Sequence, residues 1–421
     1  SAADAGDIQD LFTAWQADFD LEHGPVYRVG YLDGLADGSA RVFVACHHLV
    51  VDAVSWRVIT EDLEALYRGR TLPAVGSGFG QWAASVERYP SLRPDEYDYW
   101  QDVQAGFEQA GDSALVDLVL SDDTRTVSEL SLDRNTTQQL LQCHRAYNTQ
   151  INDVLLAAFS HALTELTGAS VNPVVLEGHG REDVDPRLDV GRTVGWFTTM
   201  FPVRLHTGPD QLATLRETKE TLRGIPSKGI GYGALYGYRN DRMPRINFNY
   251  LGQLDSGETT VDGRRWVLTR EPAGEAVDPV NRDNNIMTIN GWIADGQLTF
   301  TIANKLGQEA GDCLTQRYQQ ALAELVRELS DAPRTYLTPS DVDLVVSAEY
   351  LDELQASREI EGVYLANSLQ QGFIYQAAAH GRDDDAYTVQ MWWRYSTRVD
   401  VGALREAWSR AQRTFPALRL R

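Results

Sequence analysis

Cys46-His47-His48-Leu49-Val50-Val51-Asp52-Ala53-Val54-Ser55-Trp56 is the stretch around which the rest of this chain is arranged. An apolar run, Val42-Phe43-Val44-Ala45, leads into the two histidines and predicts a buried strand. The periodic segment from Val54 to Leu63 predicts an amphipathic helix. A strand-to-helix junction sets its side chains at the mouth of a cleft rather than in a core. Neighbouring strand residues point to opposite faces, so one histidine is expected in the cleft while the other holds backbone. Asp52, just past the turn, is placed to pin the junction, with Arg181 or Arg192 as its partner. Taken alone, a histidine pair at a strand end is more often structural or metal-binding than catalytic. Eight histidines and three cysteines, with no CxxC, HxxxH or HExxH spacing, do not complete a zinc site.

A chain of 421 residues has room for two lobes or domains, each with its own core. Its 43% hydrophobic and 10% aromatic content is that of a globular protein. The net charge of −22 argues against nucleic acid and against anionic membrane surfaces. Because the acidic residues are spread along the chain, they read as solvated faces. Cys46, Cys143 and Cys313 form no disulfide framework and suit a reducing cytoplasm. No apolar run reaches membrane-spanning length, and the first twenty residues carry no basic-then-apolar signal. The abrupt opening, Ser1-Ala2-Ala3-Asp4, suggests a piece excised from something longer.

Helices and strands alternate through residue 330. Helical periodicity covers 7–18, 54–68, 79–88, 94–110, 135–146, 150–167, 211–224 and 310–330. Strand signals fall at 30–32, 41–46, 127–132, 171–176, 194–205 and 246–251, and a hairpin at 285–303 turns on Asp295-Gly296. The class is α/β, and the absence of GxGxxG and GxxxxGK[ST] loops argues against a nucleotide site. Residues 337–360 break the composition and read as a linker. Residues 361–421 start a new unit with a helix near Asn367, a strand at 387–393 and a helix at 401–414. Three elements cannot bury a core of their own.

Five stretches complete the pattern: His47–Trp56, Glu177-Gly178-His179-Gly180-Arg181-Glu182, Gly191-Arg192-Thr193-Val194-Gly195-Trp196-Phe197-Thr198, Gly229-Ile230-Gly231-Tyr232-Gly233 and Phe248-Asn249-Tyr250-Leu251-Gly252-Gln253. In this order and spacing the chain closely resembles the epimerization domain of nonribosomal peptide synthetases, a relative of the condensation domains, over residues 20–330. The resemblance implies a two-lobed fold like chloramphenicol acetyltransferase, with the active-site tunnel between lobes. Residues 1–120 would form the N-terminal lobe and 121–336 the C-terminal lobe.

The implied activity is interconversion of L and D configuration at the Cα of an aminoacyl or peptidyl thioester. The substrate would arrive on the 4'-phosphopantetheine of an upstream carrier domain, with adjoining condensation and adenylation domains and no cofactor of the chain's own. By the resemblance His48 and Glu177 are the acid/base groups, and imidazole suits such work at neutral pH. A plainer reading pairs Glu177 with Arg181 or Arg192. Tyr250 and Asn249 are candidates to meet the enolate-like oxygen. His47, Asp52, Ser55, Trp56, His179 and Arg192 are expected in support, and the glycines at 229, 231 and 233 in a tight backbone beside the channel.

Two departures from the family stand out. Ala53 occupies a place where the family commonly has glycine, and a methyl there narrows the tunnel or is tolerated. The family's opening helix, strand and LR-terminated helix are missing ahead of residue 20. The 361–421 unit, with Leu369-Gln370-Gln371-Gly372 and Leu418-Arg419-Leu420-Arg421, resembles that opening segment, as the truncated start of a following condensation domain. It is expected to fill the missing place, within the chain or by exchange between two chains. Competing functions are an amide-forming condensation domain, a carrier-docking module impaired in catalysis, and an acyltransferase using free coenzyme A.

Overall fold

The computed structural model describes residues 5–35, 38–110, 113–121, 124–237, 243–254, 271–278, 280–281, 283–380 and 389–420. The chain opens with helix α1 (Ala5–Ala17) and an antiparallel ribbon of β1 (Tyr27–Leu32) and β2 (Arg41–Cys46). α1 covers one face of the ribbon: Phe12 stacks on Phe43 with centroids 4.1 Å apart and planes 5° from parallel. Gly30 is required beneath it, because a Cβ there would stand 2.3 Å from the Trp15 ring. Four helices follow: α2 (Ala53–Tyr67), α3 (Phe79–Leu92), α4 (Glu96–Ala110) and the short α5 (Ser113–Val116).

The larger sheet has six strands: β3 (Thr126–Ser131), β4 (Val171–Gly178), β5 (Thr199–His206), β6 (Ile246–Gln253), β7 (Met287–Ala294) and β8 (Gln297–Asn304). Their spatial order is β3-β8-β7-β6-β4-β5, with β6 parallel to both neighbours and the other pairs antiparallel. The helices that accompany it are α6 (Arg134–Gln142), α7 (Ile151–Thr167), α8 (Gln211–Gly224), α9 (Ile230–Tyr236) and α10 (Gln308–Ser330). α7 is apolar nearly all round, its residues 153–160 all buried, as a helix sandwiched within a core must be. It stops at Gly168, whose φ of 73° is the left-handed conformation a helix end commonly takes. Phe159 of α7, Tyr318 of α10 and Phe248 and Phe300 of the sheet form the centre of the main core.

Two features bind the ribbon end of the chain to this sheet. α4 sends Trp100 into the main core, Asp102 accepts from Arg204 of β5 (2.7 Å), and Gln104 accepts from the Tyr232 hydroxyl (3.0 Å). The segment after β6 crosses to α1: Gly274 N–H donates to Gln9 Oε1 (2.7 Å), Glu275 N–H to Thr13 Oγ1 (2.9 Å), and Arg41 Nη2 to Glu271 (2.6 Å). Residues 1–363 make one compact unit, and 364–421 make a second.

Residues 337–360, read from sequence as a linker, are folded onto the first unit. Leu337, Val342 and Leu351, the last on helix α11 (Ala348–Ser357), form a small core. Lys219 of α8, fully buried, donates to Asp341 Oδ2 and to the Tyr147 carbonyl, both at 2.5 Å. Burial would raise the Asp341 carboxyl, but the bonds from Lys219, the Thr338 N–H and Arg223 outweigh it and hold the group below its ordinary value. Acidic residues of this stretch supply ion pairs and caps: Asp341 pairs with Lys219 and accepts from Thr338 N–H, and Asp352 pairs with Arg216.

The second unit contains helices α12 (Ser368–His380) and α13 (Val401–Thr414). Of the strand expected at 387–393, residues 387–388 lie outside the described residues. Residues 389–393 form no strand, and Val389, Met391, Trp392 and Trp393 are exposed. A β-prone run without a partner has no ladder to join. Among the described residues no helix is long and apolar enough to cross a membrane.

Candidate active site

The histidine pair lies just beyond β2, not within it. Strand β2 ends at Cys46; His47 caps a short 3₁₀ turn, His48–Val50, that leads into α2. Facing therefore follows the turn rather than strand alternation. His47 is tied to backbone, its N–H donating to Val26 O (2.8 Å) and its Nδ1 accepting from Leu49 N–H (3.2 Å), with its ring edge-on to Phe19. His48 is exposed, its ring set against Trp196 with centroids 4.9 Å apart.

Asp52 fixes the turn, and Arg181, not Arg192, is its partner. Its carboxylate caps α2 by accepting from Ser55 N–H (2.6 Å) and accepts from Phe197 N–H (3.2 Å). Both its oxygens accept from Arg181 Nη2 (3.0 Å each), and each of these side chains is almost fully buried. Arg181 also donates to the carbonyls of Val190 and Thr193 (2.7 Å each) and lies 4.0 Å over the Phe197 ring. Ser55 completes the junction, its hydroxyl donating to Gly195 O (2.9 Å) and accepting from Gly195 N–H (3.0 Å). Trp56 is half-buried on the first turn of α2, and Ala53, the first residue of that helix, is exposed. Arg192 sits further out, pairing with Glu61 (2.9 Å) and Asp62.

Glu177 stands near the end of β4, where the sheet opens. β4 and β6 pair only at Val175–Asn247 and Leu176–Phe248; beyond that their last residues part. Into the gap come two amides from one face of β6. Asn249 Nδ2 donates to Glu177 Oε2 (3.0 Å) and Asn247 Nδ2 to Oε1 (3.3 Å). Neither Arg181 nor Arg192 pairs with it. Burial pushes the carboxyl above its ordinary value, and the Asn247 bond and the charge of His48 offset this only in part. Glu177 is thus a carboxyl held above its ordinary value, within electrostatic reach of the His48 imidazole, a pairing that acid/base chemistry can use.

Tyr250 does not join this group. Strand residues alternate, so Asn247 and Asn249 share one face of β6 while Phe248 and Tyr250 share the other. Tyr250 packs against the helix-covered core, opposite Gly291 on β7, and lines a cleft of about 420 Å³ with Leu140, His144, Gln150 and Ile151. Burial pushes its hydroxyl up to about 12. Asn249 is at the site, but its amide is engaged by Glu177. His179 is half-exposed, its Nδ1 accepting from Arg181 N–H (3.0 Å) and its Nε2 beside Glu182 (3.1 Å).

The glycines serve close packing. Gly180, at φ 66°, would place a Cβ 1.6 Å from the Phe197 carbonyl, and Gly229, at φ 87°, would place one 2.0 Å from the Phe201 ring. Sequence reasoning missed Asn247 as a partner of Glu177 and Trp196 as the partner of His48. The Asn-x-Asn spacing in a strand was the available signal for the first. Among the described residues no group of three or more His, Cys, Asp or Glu could hold a metal ion.

The family model described as "Condensation domain" matches residues 1–344. An N-(5-amino-5-carboxypentanoyl)-L-cysteinyl-D-valine synthase of Amycolatopsis lactamdurans is 36% identical over 339 residues, covering 79% of this chain and 9% of that protein. A linear gramicidin synthase of Brevibacillus parabrevis is 33% identical over 432 residues, covering 96% of this chain and 6% of that protein. The chain thus spans less than a tenth of either relative. Among solved structures, the epimerization domain from the third module of tyrocidine synthetase B is similar, with a TM-score of 0.67 and 28% identity over 78% of each chain. The condensation domain from the Monacolin K polyketide synthase MokA, with a TM-score of 0.57 and 15% identity over 79% of each chain, is a likeness of fold alone.

Proposed function

The chain belongs to the condensation-domain family of nonribosomal peptide synthetases, and within it we propose that it epimerises the Cα of an aminoacyl or peptidyl thioester. The observation that carries this reading is Glu177: a carboxyl raised by burial, held by two neutral amides and, among the described residues, by no cation, and acted on by the charge of His48. Epimerisation removes the Cα proton from one face, leaving an enolate stabilised by the thioester carbonyl, and returns a proton to the opposite face. Two groups that can each give and take a proton near neutral pH are what this demands. Asn249 and Asn247 keep the carboxyl aimed, and Asp52, Arg181 and Ser55 hold the turn that carries His48. The likeness to an epimerization domain at 28% identity supports the same assignment.

The substrate is delivered on the phosphopantetheine arm of a carrier domain, next to condensation and adenylation domains of a larger synthetase, and the chemistry uses no cofactor of the chain's own. Residues 361–421 read as the start of a following condensation domain. Their support is the alignment with the Brevibacillus linear gramicidin synthase, which runs over 96% of the chain. The competing reading, amide-bond formation, draws on the family match and on His48, and leaves Glu177 without work.

The deciding measurement is solvent deuterium incorporation at Cα of a carrier-bound aminoacyl thioester. Incorporation with D product in the wild type, lost in His48→Ala and Glu177→Gln, is the expected result. Amide product with an acceptor carrier and no Cα exchange would overturn the epimerase reading in favour of condensation.

A further inference from the structure

In an epimerase Glu177 gains or loses a proton in every turnover, and a carboxyl asks opposite things of its neighbours in its two states. As a carboxylate it only accepts hydrogen bonds; as an acid one oxygen must donate. Resting on the epimerase reading, we propose that Asn247 is a positioning residue that follows this proton. Its NH2 donates to the Glu177 carboxylate, and after a half-turn of the amide its oxygen accepts from the Glu177 acid.

Three observations carry it. Asn247 Nδ2 is 3.3 Å from Glu177 Oε1, so the half-turn brings Oδ1 to the same place with almost no change of shape. Asn247 Oδ1 is buried and, among the described residues, accepts no hydrogen bond, so turning the amide breaks nothing at its far end. Buried polar atoms are seldom left so. Either orientation leaves one end unpaired, which keeps the two close in energy and locks neither. Finally, Asn249 holds the other carboxyl oxygen at 3.0 Å, so Glu177 stays in place while its neighbour turns. A lysine or arginine at position 247 would instead fix Glu177 in its charged form. His48 is the titratable group whose charge acts on Glu177 from across the site.

The test reads the amide directly. In uniformly 15N-labelled full-length protein, the side-chain NH2 signal of Asn247, assigned by its absence in Asn247→Leu, is followed across the titration of Glu177. It should move between two limits, and in Glu177→Gln, a permanent mimic of the acid, it should sit at the low-pH limit at every pH. A signal that ignores both the titration and the mimic overturns the proposal. In Asn247→Leu the anion and the acid each lose a partner, so Cα exchange should slow about tenfold or more while the pH at which it switches on stays near that of the wild type. A switch-on pH raised by roughly one unit would mark Asn247 as a donor to the anion alone and also overturns it. If the wild type exchanges no Cα proton while the amide follows Glu177, the epimerase reading falls and the turning amide stands.

Discussion

Asp52→Ala is the substitution with the largest worked consequence. It removes the carboxylate on which four hydrogen bonds converge, from Ser55 N–H, Phe197 N–H and twice from Arg181. Losing the cap of α2 costs about 1 kcal/mol. Removing one partner of a buried ion pair costs about 3–5 kcal/mol, because the other charge is left without compensation. Arg181 keeps the Val190 and Thr193 carbonyls and the Phe197 ring, which puts its share at the lower end. The total is about 4 kcal/mol, a large part of the roughly 5–15 kcal/mol that holds a domain folded. The assay is urea unfolding of the wild type, Asp52→Ala, Arg181→Met and the double variant. Because the two side chains act as one unit, the double variant should be little worse than either single one, a coupling of about 2–3 kcal/mol. A loss below about 1 kcal/mol with additive effects would refute the claim that this pair clamps the histidine turn.

Tyr250→Phe should leave Cα exchange within a few-fold of wild type, measured on the same carrier-bound thioester, since its ring is on the far face of β6. A loss of roughly 100-fold or more, as for an oxyanion donor, would place the hydroxyl at the reacting atoms. Glu177→Gln should raise the melting temperature at neutral pH. A carboxyl whose folded pKa is raised contributes stability that is complete below its unfolded pKa and is lost as pH rises through the folded one. Melting curves of the two proteins should therefore converge below about pH 4 and separate as pH rises. Parallel curves at all pH would count against a raised Glu177.

The elements were legible where hydrophobic period and length agreed. α7, α10 and the β7–β8 hairpin lie where the sequence places them, because each buries a continuous apolar face. The site was legible as a set of motifs but not as a set of bonds. Arg181 and Arg192 stand eleven positions apart in one irregular segment, and only the folded path of 178–198 decides which reaches Asp52. The facing of Tyr250 was there to be read, since Asn-Phe-Asn-Tyr in a strand puts the two amides together and the two rings together. Residues 337–360 deceived because their anchor, Lys219, lies more than a hundred residues upstream, and a buried cation announces nothing in a local window. Residues 389–393 show the converse: strand propensity without a partner.

The Lys219–Asp341 anchor also sets how far anything downstream can wander. Were 337–363 a free tether, its 27 residues would give a random coil with a root-mean-square reach of roughly 30 Å. Folded onto the unit, with Ile360 and Val363 packed against its small core, they give almost none. Effective concentration between tethered partners depends steeply on such lengths. A junction cut at residue 336 would therefore do more than trim a spacer. It would strip an anchored strap from the fold, and a flexible sequence grafted in its place would lower the effective concentration of anything tethered through it.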